Sequence, residues 1–192
     1  MLSGEVPKVL MLGHCFPDGE SSGPRERAWQ LLETLRPMAR VHLVAAEDGP
    51  IHLSHWRRLR AMVEHLEIVP RHPLTRMLGR TRRRCVEAIA RDWCGRTRFD
   101  ALVCTEAALG RAPVIRSIPM RLCDVSSRDR LDLRRIAEFD WLITDDVIQA
   151  VAARKLGFKT WLVSAQAAES ERLSRPWSIE EQVPQDYYAR AA

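Results

Sequence analysis

No uninterrupted apolar run in this chain approaches the roughly 18–20 residues that a membrane-spanning helix needs. A secretory leader is not expected either, because Glu5, Pro7 and Lys8 precede only a short strand-like run. The cysteines (Cys15, Cys85, Cys94, Cys104 and Cys123) are odd in number and include no C-x-x-C pair. That pattern argues against a disulfide framework or a cysteine metal site and for buried thiols in a reducing compartment, so cytoplasm is the expected location. Gly13, Gly19 and Gly23 have the wrong spacing for a G-x-G-x-x-G dinucleotide fingerprint, and no Walker A sequence occurs. A Ser–His–Asp arrangement is not expected, on the reading that G-x-S-x-G is missing. Recognition-helix, zinc-finger and RNP signatures are also missing, which makes nucleic acid the weakest candidate partner.

What is present fits a globular protein. The 192 residues are 46% hydrophobic and 29% charged, enough for one sizeable domain and an appendage. The formal charge of +5 is uneven: twelve arginines lie between residues 57 and 98, interleaved only with Glu64, Glu67, Glu87 and Asp92. A basic face of this kind suits anionic lipid headgroups or an acidic protein, and it is equally what a solvated helical surface looks like.

Strand-like and helix-like segments alternate along the chain. Strands are predicted at Lys8–Gly13, Val41–Ala45, Leu66–Val69, Ala101–Thr105, Met120–Asp124, Trp141–Thr144 and Thr160–Val163. Most are short apolar runs, as expected where both faces of a sheet are covered. Helices are predicted at Pro24–Arg36, Ser54–Glu64, Leu74–Trp93, Arg128–Glu138 and Asp145–Leu156, with Trp56 and Trp93 at core-like positions. In the last of these, Asp145 is the expected cap and Gly157 the stop. The expected fold is therefore α/β: a Rossmann-like parallel sheet with helices on both faces over residues 1–165, then a linker and tail helix over 166–192.

Ligands of such sheets bind beyond the carboxyl ends of the strands. That rule points to the loop from Gly13 through Gly19 and Ser22 to Gly23, to Glu106, to Asp124–Ser127, and to Thr144–Asp146. The helix opening beneath Gly23 has amides without intrahelical partners and a positive dipole end, an arrangement suited to an anion. Arg25 and Arg27 stand in its first turn, where cations are unfavourable, so either an anionic ligand or an acidic neighbour is needed to account for them. His14 reads as a base or hydrogen-bond donor, or as a histidine satisfying strand-end backbone groups. Asp124 reads as a ligand for a sugar hydroxyl or as a local cap. Asp145 and Asp146 lack the companions a metal site requires, and neither a metal nor a cofactor is expected.

Several segments stand in a familiar order. His14-Cys15-Phe16-Pro17 is followed by Gly23-Pro24-Arg25-Glu26-Arg27, then by Arg40-Val41-His42-Leu43-Val44. Arg98-Phe99-Asp100-Ala101-Leu102-Val103, Met120-Arg121-Leu122-Cys123-Asp124-Val125-Ser126-Ser127 and Phe139-Asp140-Trp141-Leu142-Ile143-Thr144 come later, the last running on to Leu156-Gly157. Over roughly residues 8–163 this resembles the N-terminal domain of a bacterial family 4 glycosyltransferase, a GT-B enzyme with two Rossmann-like domains. Two departures stand out. Leu162-Val163-Ser164-Ala165-Gln166 occupies the place of the family's Val-Pro-Asn-Gly-Val-Asp linker, with no donor-binding domain after it, and the stretch following Asp124 is short. Trp177–Tyr188 is similar to the family's final helix, which crosses back onto the first domain.

The resemblance implies an acceptor-side module of a sugar transferase, cytoplasmic or peripheral at the inner membrane face, in polysaccharide biosynthesis. It would use His14 for catalysis, Gly13, Gly19, Ser22, Gly23, Arg25, Arg27 and Asp124 for substrate or anion contacts, and a second subunit for the sugar nucleotide. The implied ligands are a sugar nucleotide or a phosphorylated acceptor, with the Arg-rich helices against anionic membrane. The alternatives are a non-catalytic scaffold derived from such a transferase and a small nucleotide-binding protein using the loop at Gly23.

Overall fold

Seven parallel strands form a sheet in the order β3-β2-β1-β4-β5-β6-β7. They are β1 (Lys8–Gly13), β2 (Arg40–Glu47), β3 (His65–Pro70), β4 (Ala101–Cys104), β5 (Met120–Asp124), β6 (Trp141–Thr144) and β7 (Lys159–Leu162). The helices are α1 (Pro24–Leu35), α2 (Leu53–Arg60), α3 (Arg82–Arg96) and α4 (Val147–Lys155), with 3-10 turns at Ala107–Arg111 and Ile115–Ser117. This computed structural model describes residues 5–47, 49–70, 82–111, 115–125 and 136–163. The start of the predicted helix Leu74–Trp93, most of Arg128–Glu138, the turn at Ser126-Ser127 and the predicted linker and tail helix lie outside the described residues.

The chain runs outward from β1 to β3 and then crosses back to β4, so right-handed crossovers place α1 and α3 on opposite faces. Side-chain alternation does the rest. Leu10, Leu12, Val44, Leu102 and Cys104 face α3 and pack with its Val86 and Ala90. Met11, Leu43 and Val103 point the other way, the side on which α1 buries Ala28, Leu31, Leu32 and Leu35. Complete enclosure of these strands explains their unbroken apolar character.

Three local expectations need correction. The predicted helix Ser54–Glu64 ends at Arg60, because Met62 N–H turns back to Leu59 C=O and the Arg60 guanidinium takes the Val63 and Glu64 carbonyls. In that short helix Leu59 is buried, whereas Trp56 is 40% exposed rather than in the core. The cap of α4 is Asp146, not Asp145: Thr144 Oγ1 accepts from Asp146 N–H, and Asp146 Oδ1 then accepts from Ile148 N–H at 2.7 Å. Gly157, at φ 89°, follows the end of that helix as anticipated.

At the amino ends of β2 and β3 sits an aromatic cluster. The His42 ring lies 4.7 Å from His65, 5.0 Å from Phe99 and 5.9 Å from Trp93 between centroids. Burial pushes the His42 imidazole below the usual histidine range; His65 and Lys8 add to that, and Glu64 opposes it.

Candidate functional site

Strand order reverses between β1 and β4, the position where open α/β sheets leave a crevice at their carboxyl ends. His14 and Thr105 follow these two strands and meet across that line. His14 N–H donates to Thr105 Oγ1 at 3.0 Å, and His14 Nδ1 lies 2.8 Å from the same oxygen. Thr105 is itself held by its N–H to Leu12 C=O at 3.0 Å. The hydroxyl has one proton to place. If it goes to Nδ1, Nε2 is an N–H donor; if it goes to Leu12 C=O, which lies 3.5 Å from the hydroxyl, Nδ1 holds the ring proton and Nε2 is a basic lone pair. Either way Thr105 fixes one ring nitrogen and leaves Nε2 for chemistry.

The loop after His14 is organised by Asp18. Its carboxylate accepts from Glu20 N–H at 2.9 Å and from Ser21 Oγ at 2.6 Å, while Asp18 N–H donates to Arg25 C=O. Burial alone would raise the Asp18 pKa, but the Ser21 hydroxyl, the Glu20 amide and the charges of His55 and Arg25 together hold it below the ordinary carboxylate value. Gly19 presses on the buried Trp29: a Cβ there would stand 2.9 Å from the indole Nε1. Arg58 covers the same ring, its guanidinium carbon 4.7 Å from the centroid.

Helix α1 then opens from Gly23 (φ 81°, ψ −136°) with Pro24 at its first position and no side-chain cap. Arg25 and Arg27, two residues apart, lie about 200° apart around the helix and reach opposite ways. Arg25 Nη2 meets Glu47 Oε1 at the end of β2 at 2.6 Å, and Gly49 N–H donates to the same oxygen. Arg27 meets Asp124 at the end of β5, with Nη2 and Nε 3.0 and 3.2 Å from Oδ1. Three strand spacings, about 14 Å, separate β2 from β5, so the first turn of α1 is braced to strands on both sides of the crevice. Acidic neighbours, one of the two explanations open from sequence, stand beside both arginines.

No protein-family model matches the sequence, and no curated protein matches it. Solved structures do. The apo form of the lipopolysaccharide outer core galactosyltransferase WaaB is similar at a TM-score of 0.53 and 10% identity, over 82% of this chain and 45% of that one. The fold is that of a GT-B half. Anabaena HepE in complex with UDP and glucose is similar at 0.48 (12% identity, 82% and 44% covered), and a Thermobaculum terrenum O-GlcNAc transferase mutant at 0.46 (15%, 83% and 28%). The chain thus spans less than half the length of these three proteins.

On this GT-B half, Gly13, His14, Gly19, Gly23, Arg25, Arg27 and Asp124 gather around one stretch of the sheet's carboxyl edge. Ser22 is exposed on the loop, and Glu106 is exposed beyond Thr105. Sequence reasoning missed Thr105, Asp18 and Glu47. The expectation that G-x-S-x-G is missing is wrong, since Gly19-Glu20-Ser21-Ser22-Gly23 has the spacing of a hydrolase elbow. The geometry does not support that chemistry. Ser21 donates to a carboxylate rather than to a histidine, and no described non-glycine residue has a positive φ. Cys104 is buried, and burial, with Cys123 beside it, drives its thiol well above the ordinary range, so it is no nucleophile. Among the described residues, His42, Glu64 and His65 bring three ligand atoms within 4.8 Å of one another, at the opposite end of the sheet. No described helix is long and apolar enough to cross a membrane.

Proposed function

We propose that this chain is the acceptor-side half of a sugar transferase, with the sugar-nucleotide site supplied by another domain or polypeptide. The observation that carries this reading is the pairing of His14 Nδ1 with Thr105 Oγ1 at the switch point of a GT-B-like sheet. With Nδ1 holding the ring proton, Nε2 takes the proton of an acceptor hydroxyl as that oxygen bonds to the anomeric carbon. The bond from carbon to the nucleotide phosphate breaks in the same step, and the diphosphate leaves with the electron pair. Arg25, 38% exposed, is the cation able to swing from Glu47 towards a phosphate. The carboxyl-end loop and the uncapped start of α1 support an anion nearby.

The test is reconstitution. Affinity purification from the native host should recover a donor-binding transferase half, and the pair should transfer sugar from a nucleotide. His14→Ala should then slow transfer by roughly 10²–10⁴-fold while sugar-nucleotide affinity holds. No recovered half and no transfer would end the proposal, as would an unslowed His14→Ala pair.

The second reading, a non-catalytic scaffold, is favoured by the carboxylates beside both Arg25 and Arg27. It expects replacement of His14, Arg25 and Asp124 with fold-preserving residues to leave the biological role intact, and changes on the basic surface of α2 and α3 to abolish it.

A further inference from the structure

His42, Glu64 and His65 lie at the amino ends of β2 and β3, away from the candidate site. His42 and His65 are register partners on adjacent strands, and Glu64 is fixed by its N–H to Val41 C=O at 2.8 Å. The His42 side chain is 5% exposed, and its Nε2 is buried without a hydrogen-bond partner. A buried ring nitrogen in that state is costly, and what it faces is informative. Its neighbour is Glu64 Oε2 at 3.8 Å, too far for a hydrogen bond. Ligand atoms about 2.0–2.1 Å from a tetrahedral zinc ion stand about 3.4 Å apart, so the gap is close to one a bound cation would hold. The three ligand atoms lie within 4.8 Å of one another, and Glu64 and His65, both exposed, have room to rotate towards a shared ion. Packing against Phe99 and Trp93 meanwhile keeps the His42 ring in place. The Arg40 guanidinium competes for Glu64 only at 4.0 Å and from a 57% exposed position.

We propose that these three residues bind a divalent transition-metal ion of the zinc type through two imidazoles, one carboxylate and solvent. Its place at the amino edge, remote from the crevice, gives it a structural role: it ties the start of β3 to β2 across the α2 connection. Two neutral nitrogen donors and one oxygen suit Zn2+ or Co2+ rather than Mg2+ or Ca2+.

The experiment uses the untagged full chain, stripped of metal, with Zn2+ followed by calorimetry and thermal melting and Co2+ by visible absorption. One equivalent should bind, with Co2+ bands of four-coordinate intensity. At about a hundredfold excess over Kd, Tm should rise by about 5–10 °C. Glu64→Gln and His65→Asn, both at exposed positions so that the fold survives, should each weaken binding by more than the roughly 10–100-fold cost of losing an outer-shell partner. Absence of saturable binding to the wild-type chain overturns the site, and so does full affinity in either variant.

Discussion

Replacing Asp124 by Asn tests the brace at the start of α1. Arg27 and Asp124 side chains are 10% and 5% exposed, so the amide would leave a guanidinium in a nearly dry setting without its carboxylate. Breaking a buried pair from one side costs about 3–5 kcal/mol, because the remaining charge keeps its desolvation penalty and loses its counter-ion. For a unit of this size each kcal/mol is worth about 2–4 °C in Tm, so melting should fall by about 6–20 °C, with a lower urea midpoint and an unchanged slope. The control is Asp92→Asn. Its partner Arg96 is 75% exposed on α3, and that pair should be worth no more than about 0.5 kcal/mol. A double replacement, Arg27→Met with Asp124→Leu, should recover much of the loss, since apolar groups of similar volume owe no desolvation. If Asp124→Asn costs less than about 1 kcal/mol, as an exposed pair would, the pair is solvated and the brace does not exist.

Gly19→Ala should cost about 1–3 kcal/mol through overpacking against Trp29, whereas Gly23→Ala, with open space but φ 81° and ψ −136°, should cost about 1–3 kcal/mol through backbone strain alone. Tryptophan fluorescence should change in the first variant and not in the second. Asp146→Ala should destabilise by about 1 kcal/mol, and Asp145→Ala by less than about 0.5, which chemical denaturation will resolve and which reverses if Asp145 is the cap. Asp18 titrates below its unfolded value of about 3.9, so its contribution is complete above that pH and drains away as pH falls through the depressed folded value. Asp18→Asn should therefore flatten the acid limb of the stability curve, and an unchanged limb would show that its hydrogen bonds do not favour the charged form.

Much of the fold was legible because its strands are covered on both faces. An apolar run such as Val9–Leu12 or Trp141–Ile143 then announces itself without periodicity. β2 runs two residues beyond the expected Ala45 because Glu47, polar by type, is buried against Arg25, and a lone sequence prices a glutamate as a strand end. The loop and His14 were legible from the strand–loop–helix order. The partners were not: Arg25 finds Glu47 22 residues away, and Arg27 finds Asp124 97 residues away. Nothing local encodes such meetings. They follow from strand order, which places β2 and β5 either side of β1 and β4. The His42–His65 pairing was hidden for the same reason, since register decides it.

The two arginines of α1 look alike in sequence and differ in what the fold lets them do. Arg27 lies inward, and moving it would strip a buried carboxylate of its counter-ion, so a ligand drawing it away would have to supply the several kcal/mol that the pair withholds. Arg25 is 38% exposed, and although Glu47 is 3% exposed, that carboxylate keeps the Gly49 amide at 2.9 Å when the guanidinium leaves. Releasing Arg25 is therefore cheaper only on the guanidinium side, which returns to water; the buried Glu47 carboxylate loses its counter-ion, and a phosphate, with three strong acceptor oxygens, would have to offset that loss. Pro24 supplies no N–H and Arg27 N–H is taken by Gly23 C=O, which leaves the amides of Arg25 and Glu26 as the donors of the first turn. An anion at this edge would thus be received by Arg25 from the side and by those two amides from below, with Arg27 serving as the anchor that holds the helix end still.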